Sequence, residues 1–228
     1  MPAVLGPGQV LAADRVLPAP EPVRSSLPEA GLRRGSLVGI SGTGAMTLLL
    51  SLLVEPVGAG SWAAVVGLPD LGLEAAAAMG VDLGRVALVP DPGADWASVA
   101  AAALDALDVV VLRPPRRCRA ADAHRLAARA RERRSVLVLA DARGWPDRPD
   151  LELEAEVEGW EGLEEGAGTL QRRRGRVVVS GRRGAGRPAT VLCWLPDPEG
   201  RLAARGSKAV PVPKAVGGEI PETIAWAG

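Results

Sequence analysis

Five short runs of apolar residues punctuate the first two thirds of the chain, at residues 36–41, 62–66, 86–89, 109–112 and 136–139. Each is apolar at consecutive rather than alternate positions, as in Val109-Val110-Val111-Leu112. A strand of that kind has to be covered on both faces. Between the runs lie stretches with helical character at 47–54, 71–79, 96–107 and 120–133. Strand and helix alternating in this way predict βαβ units, and hence an α/β fold with a mainly parallel sheet flanked by helices. With 228 residues, 47% of them apolar, the chain can bury one such core.

The pattern changes after residue 150. Glu152, Glu154, Glu156 and Glu158 alternate with Leu151, Leu153, Ala155 and Val157, which predicts a strand with four carboxylates on one face. That face reads as solvated or as an acidic docking surface. Residues 171–180 and 189–195 read as two further strands joined by a turn at 181–187, so antiparallel strands are appended to the parallel sheet. Six prolines (Pro2, Pro7, Pro18, Pro20, Pro22, Pro28) predict an extended arm over residues 1–28, leaving the folded domain at 29–205. From 206 to 228 the chain reads as a flexible tail in which Ile220, Ile224 and Trp226 form a candidate docking peptide.

The rare residues exclude much chemistry. His124 is the single histidine, and Cys118 and Cys193 are the only cysteines. Zinc sites of four cysteine or histidine ligands are therefore excluded, as is a serine triad on any other histidine. His124 reads as a surface helix residue and Cys193 as core. Cys118, between Arg117 and Arg119, is either an ordinary loop cysteine or one whose thiol pKa is lowered by its neighbours. Two cysteines make no disulfide framework, and no run of 18 apolar residues occurs, so the expectation is a cytoplasmic protein outside the membrane. Residues 1–207 contain no lysine; Lys208 and Lys214 are the only two.

That absence bears on the segment Gly39-Ile40-Ser41-Gly42-Thr43-Gly44-Ala45-Met46-Thr47, between the first strand and the first helix. Gly39 and Gly44 have the spacing of a phosphate-binding loop. A working loop continues with a lysine for the β/γ-phosphates and a Ser/Thr hydroxyl for magnesium. Here those positions hold Ala45 and Met46, with Thr47 one residue late. Losing that cation removes charge-assisted hydrogen bonds of about 1.5–3 kcal/mol each. A tight strand-to-helix turn, weak nucleotide binding through loop amides, and hydrolysis remain as readings, in falling order. No cofactor and no metal are expected.

The run from Val65-Val66-Gly67-Leu68-Pro69-Asp70 through Gly80-Val81-Asp82 to Val86 resembles the RecA segment leaving its second core strand, and Val89-Pro90-Asp91-Pro92-Gly93 continues in register up to Leu112. The resemblance places Leu68 where RecA has its catalytic glutamate, and Arg113 where it has a magnesium-linked aspartate. Within the RecA-like group the chain is most similar to the actinobacterial ImuA-type mutasome accessory proteins. Gly31-Leu32-Arg33-Arg34-Gly35-Ser36, residues 61–67, residues 126–133 and Trp194-Leu195-Pro196 carry that similarity, which spans about residues 31 to 196. It implies a RecA-like fold with a degenerate ATPase and a non-enzymatic role in DNA-damage-induced translesion synthesis. The implied partner is an ImuB-like protein related to Y-family polymerases and, through it, an error-prone DNA polymerase.

The formal net charge of zero hides strong segregation. Residues 1–112 carry 5 basic and 11 acidic side chains, 113–150 carry 11 and 5, 151–170 carry 7 acids alone, and 171–228 carry 11 and 4. Two arginine clusters are candidates for partner or DNA contact: Arg113, Arg116, Arg117 and Arg119, and Arg172, Arg173, Arg174 and Arg176 with Arg182, Arg183 and Arg187 at the following turn. No aromatic residue is interleaved in either, as stacking on single-stranded nucleic acid would want. The alternatives to an adaptor are a RecA paralogue that binds single-stranded DNA or a RecA filament, and a cryptic ATPase using Lys208 or Lys214.

Overall fold

A computed structural model describes residues 15–164, 167–181 and 188–206. Its strands are β1 (Val16–Leu17), β2 (Leu32–Arg33), β3 (Leu37–Ser41), β4 (Ala63–Val66), β5 (Val86–Val89), β6 (Val109–Leu112), β7 (Val136–Ala140), β8 (Leu151–Glu164), β9 (Ala167–Gly181), β10 (Ala189–Trp194) and β11 (Ala203–Ala204). The helices are α1 (Glu21–Arg24), α2 (Ala45–Gly58), α3 (Leu73–Ala78), α4 (Trp96–Ala106) and α5 (Ala120–Arg133). Strands β3 to β11 form one sheet in the order β11-β10-β9-β8-β3-β7-β6-β4-β5. From β8 to β5 all pairings are parallel, and from β8 to β11 all are antiparallel.

The continuous apolar runs have the predicted reason. Val109, Val111, Val136 and Val138 face α2 through Leu48, Leu49, Leu52 and Leu53. Their neighbours Val110, Leu112, Leu137 and Leu139 face α4 and α5 through Ala100, Leu104, Ala123 and Leu126. Successive side chains point to opposite faces, so a strand serving two cores must be apolar throughout. Ser135, buried at the entrance to β7, is satisfied by donating toward the carbonyls of Leu104 and Leu107 (2.9 and 2.8 Å). Asp108, just before β6, accepts from the Trp62 amide (3.0 Å) and from Arg34 (2.7 Å).

Two expectations need correction. Residues 15–28 are not part of an extended arm: β1 pairs with β2, and Leu17, Ala19, Val23 and Leu27 are buried in the α2-side core. Proline 20 caps and Pro22 enters a one-turn helix, where a missing amide costs nothing, so the prolines shape this segment without unfolding it. The first 14 residues of the proposed arm, and the tail after Gly206, lie outside the described residues. Second, the Glu-rich strand does not stop near 158. It runs to Glu164 and pairs with β9 as a long ribbon, with register shifts around Glu158 and Gly162.

The apolar face of this ribbon joins the core through Leu153, Ala155, Val177 and Val179. Leu153 is fully buried, and its loss leaves a cavity between ribbon and α2 side. Leu153→Ala is expected to lower the unfolding free energy by about 2–5 kcal/mol, measured by urea denaturation.

Candidate functional site

The segment between β3 and α2 does not form the loop its glycine spacing predicts. Gly39 lies inside β3, paired with Leu139 on one side and Glu152 on the other. A Cβ there would come within 2.9 Å of Pro149 Cγ, so this glycine admits a neighbouring side chain. The connection proper is Gly42-Thr43-Gly44, three residues between Ser41 and the start of α2 at Ala45.

Three of its polar groups are bonded within the chain. The Gly44 amide donates to the Ala155 carbonyl of β8 (2.9 Å), and the Ala45 amide to the Gly42 carbonyl (3.2 Å). Thr43 Oγ1 accepts from the Val157 amide (2.9 Å). Gly42 has φ +94°, and a Cβ on it would lie 2.1 Å from the Ala155 carbonyl oxygen; one on Gly44 would lie 2.4 Å from Leu195 Cδ2. Phosphate loops use glycines to bring backbone amides onto an anion. These glycines instead bring β8 and Leu195 onto the backbone.

Among the described residues, a cation from β9 reaches the first turn of α2. Arg173 Nη2 donates to Thr47 Oγ1 (2.9 Å) and Nε to the Leu195 carbonyl (2.5 Å), with the Trp160 ring 5.3 Å away. Partial burial pulls its pKa below the ordinary arginine value. Arginine keeps its charge even so. Among the described residues Arg173 has no carboxylate partner; it binds oxygens of the chain where a lysine would bind phosphate.

The other two lost positions are equally committed. Leu68 is 3% exposed and packs into the α2-side core, where an ionised glutamate would be costly. Arg113, at the end of β6, lies 3.7 Å from Asp70. Beside it, Arg143 hydrogen-bonds Asp141 (2.8 Å) and holds that carboxyl below its usual range against partial burial, with Arg113 adding to the effect. Where a magnesium-linked carboxylate would stand, the protein places its own cation. Among the described residues, no three His, Cys, Asp or Glu side chains come together as metal ligands.

The two arginine clusters part ways. Arg172 bonds Glu161 (2.9 Å) and stacks on Trp194 (4.0 Å), Arg174 lies 3.5 Å from Glu161, and Arg176 is held by Glu156. Glu158 pairs with Arg205 (3.1 Å) and Glu152 with Arg148 (3.0 Å), so the acidic face is largely an ion-pair ladder. Arg116, Arg117 and Arg119 are exposed in the loop between β6 and α5, with no ion pair among the described residues. Arg182, Arg183, Arg187, Lys208, Lys214, Ile220, Ile224 and Trp226 lie outside the described residues. The absence of interleaved aromatics holds only along the sequence: register sets Trp160 opposite Arg173 and Trp194 opposite Arg174. Trp160 meets Arg173 only after the register shift between Val157 and Gly159, which alternation alone does not give.

His124 is on the surface of α5, 2.9 Å from Asp147. Cys118 does not have the lowered pKa its flanking arginines suggested; desolvation, helped by Asp122, raises it. Burial pushes the Cys193 thiol up to about 12. A raised pKa leaves the protonated thiol dominant at pH 8, so both cysteines are expected to react more slowly than free cysteine with iodoacetamide, Cys193 only after denaturation, as read by mass spectrometry.

Together, fold and site define an α/β domain of RecA-like fold in which the segment with phosphate-loop glycine spacing packs against β8 and Leu195. The chain belongs to the MT3502 N-terminal domain family, whose model matches residues 25–147. It is 47% identical over 100 residues to the uncharacterized protein Rv3395c of Mycobacterium tuberculosis (strain ATCC 25618 / H37Rv), covering 43% of this chain and 49% of that one. The chain thus spans about half the length of this curated relative. A KaiC-like protein, PH0186 from Pyrococcus horikoshii OT3, superposes with a TM-score of 0.60 at 14% identity, over 84% of this chain and 99% of that one. At that identity the likeness speaks for the fold and not for activity.

Restoring the motif does not restore the site. The double variant Ala45→Lys/Met46→Thr is expected to give no heat of binding with Mg-ATP by calorimetry, because Ala155 and Leu195 still occupy the amide side of the loop.

Proposed function

We propose that this protein is a non-catalytic RecA-like adaptor in a DNA-damage-induced translesion-synthesis complex. In this reading it binds an ImuB-like protein in the cytoplasm and so supports an error-prone polymerase on damaged DNA. The sequence resemblance supplies the partner. The observation that carries the non-catalytic part is the hydrogen bond from the Gly44 amide to Ala155, together with Leu195 against Gly44. A nucleotide would have to displace both, and residues 15–206 contain no lysine to compensate. Ala45, Leu68 and Arg113 support the same reading at three separate positions.

A second reading, direct binding of single-stranded DNA or a RecA filament, is favoured by one specific observation: Arg116, Arg117 and Arg119 are exposed without ion pairs among the described residues. It predicts affinity for an oligonucleotide that falls steeply with salt and needs no protein partner. Turnover of ATP by way of Lys208 or Lys214 is the weakest alternative, since both lie far along the sequence from the loop.

The deciding experiment is co-purification with the ImuB-like protein of the same genome, without nucleotide, using the full chain and a form ending at Gly206. A stable complex with no ATP hydrolysis above background is expected. Retention by the shorter form would place the contact in the folded domain. No complex at any salt concentration, or magnesium-dependent turnover, would overturn the adaptor reading.

A further inference from the structure

At the end of the sheet away from the ribbon, no described strand follows β5. Among the described residues β5 pairs with β4 alone, so one side of its backbone is open to another strand. A parallel strand is normally buried on both faces. Here Ala87 is exposed and Leu88 is 40% exposed. Around it lie Leu73 of α3 (38%) and Trp62 (47%), with Ala75, Ala77 and Ala78 also exposed. Edge strands are ordinarily protected by lysine, proline, a bulge, a covering element or shortness, and β5, with four residues, has the last. Val86-Ala87-Leu88-Val89 contains none of the first two and pairs with β4 in unbroken register.

The charge around this edge is one-sided. Between Gly67 and Trp96 stand five acids, Asp70, Glu74, Asp82, Asp91 and Asp95, all exposed, and one arginine, Arg85. Arg85 is engaged by Asp82 (3.6 Å) and lies over the Trp62 ring (5.7 Å). Glu74, Asp91 and Asp95 have no cationic partner among the described residues. An acid-lined strip repels nucleic acid. It also repels its own copy, which would bring five more acids to the same place.

From these observations we infer that β5 is a docking edge for an extended segment of a protein partner, one that alternates apolar residues with arginine or lysine and adds to the sheet as a further strand. Backbone pairing gives affinity, Leu88 and its apolar neighbours receive alternate side chains, and the surrounding acids select basic flanks. The assignment rests on the adaptor reading for the identity of the partner, but not for the chemistry of the edge.

The test follows hydrogen exchange of the full chain with and without the ImuB-like protein, alongside affinity measurements on variants. Binding is expected to slow exchange at Val86–Val89. Leu88→Arg is expected to weaken the complex about tenfold, and Glu74→Lys/Asp95→Lys about fivefold, with unchanged circular dichroism. If the complex forms but exchange at Val86–Val89 is unaltered, or Leu88→Arg binds fully, the edge assignment is wrong while the adaptor reading stands. If no complex forms, the adaptor reading is wrong, and synthetic peptides of about ten residues decide the edge. A valine–arginine alternation that protects Val86–Val89 where a valine–glutamate one does not upholds it; any other peptide result overturns it. Concentration-dependent self-association abolished by Leu88→Arg would also overturn it, since the edge would then join two copies of the chain.

Discussion

Strand β8 runs past the end of β3 and offers the Ala155 carbonyl to the Gly44 amide, and much of the molecule is arranged around that contact. An amide at the start of α2 left dry and unpaired would cost about 1–3 kcal/mol. An NTPase tolerates such groups because an anion arrives to satisfy them. Here β8 satisfies the Gly44 amide, which requires glycine at 42 and 44 and a small residue at 155. Once β8 is fixed there, β9 can pair along it, and Arg173 and Leu195 follow onto the same helix end.

The same economy governs charge. The glutamates of β8 and arginines of β9 answer one another across the ribbon, so two blocks of opposite sign in the sequence become a nearly neutral surface. Each exposed pair is worth little alone, about 0–1 kcal/mol. Register is fixed more by the apolar face, since a slip of one residue would turn Val177 and Val179 away from the core and part Glu156 from Arg176. Among the described residues, those left without an ion pair include Arg116, Arg117 and Arg119 after β6 and Glu74, Asp91 and Asp95 near β5. Charge left over in this way marks surfaces where folding alone gives no reason for it.

The parallel half of the fold was legible because each strand serves two cores, and only continuous apolar runs can do that. Ser36 to Ala140 therefore reads almost directly, helices included. The candidate site was harder. The residues at 45, 68 and 113 announced the loss of chemistry, but the glycine spacing suggested a loop that the structure does not contain, because a glycine inside β3 mimics the first loop glycine. Whether Gly39 ends a strand or sits within it depends on pairing with Leu139 and Glu152, far along the chain. The aromatic partners of Arg172 and Arg173 were hidden for a similar reason: Trp160 and Trp194 come beside them through strand pairing, in the case of Trp160 after a register shift in β8. Proline content misled at the N-terminus, where tertiary burial of Leu17 and Val23 outweighed a composition suited to an open chain.

That burial decides where the gene can be cut. Leu17, Ala19 and Val23 pack into the core that also holds α2, and the β1–β2 pair closes over the entrance to β3. A fragment begun at residue 25, where the family match starts, would leave the apolar floor of that core facing water while every residue of the recognisable motif was still present. Loss of solubility in such a fragment would report on a missing wall of the domain and would carry no information about the loop, the ribbon or any partner.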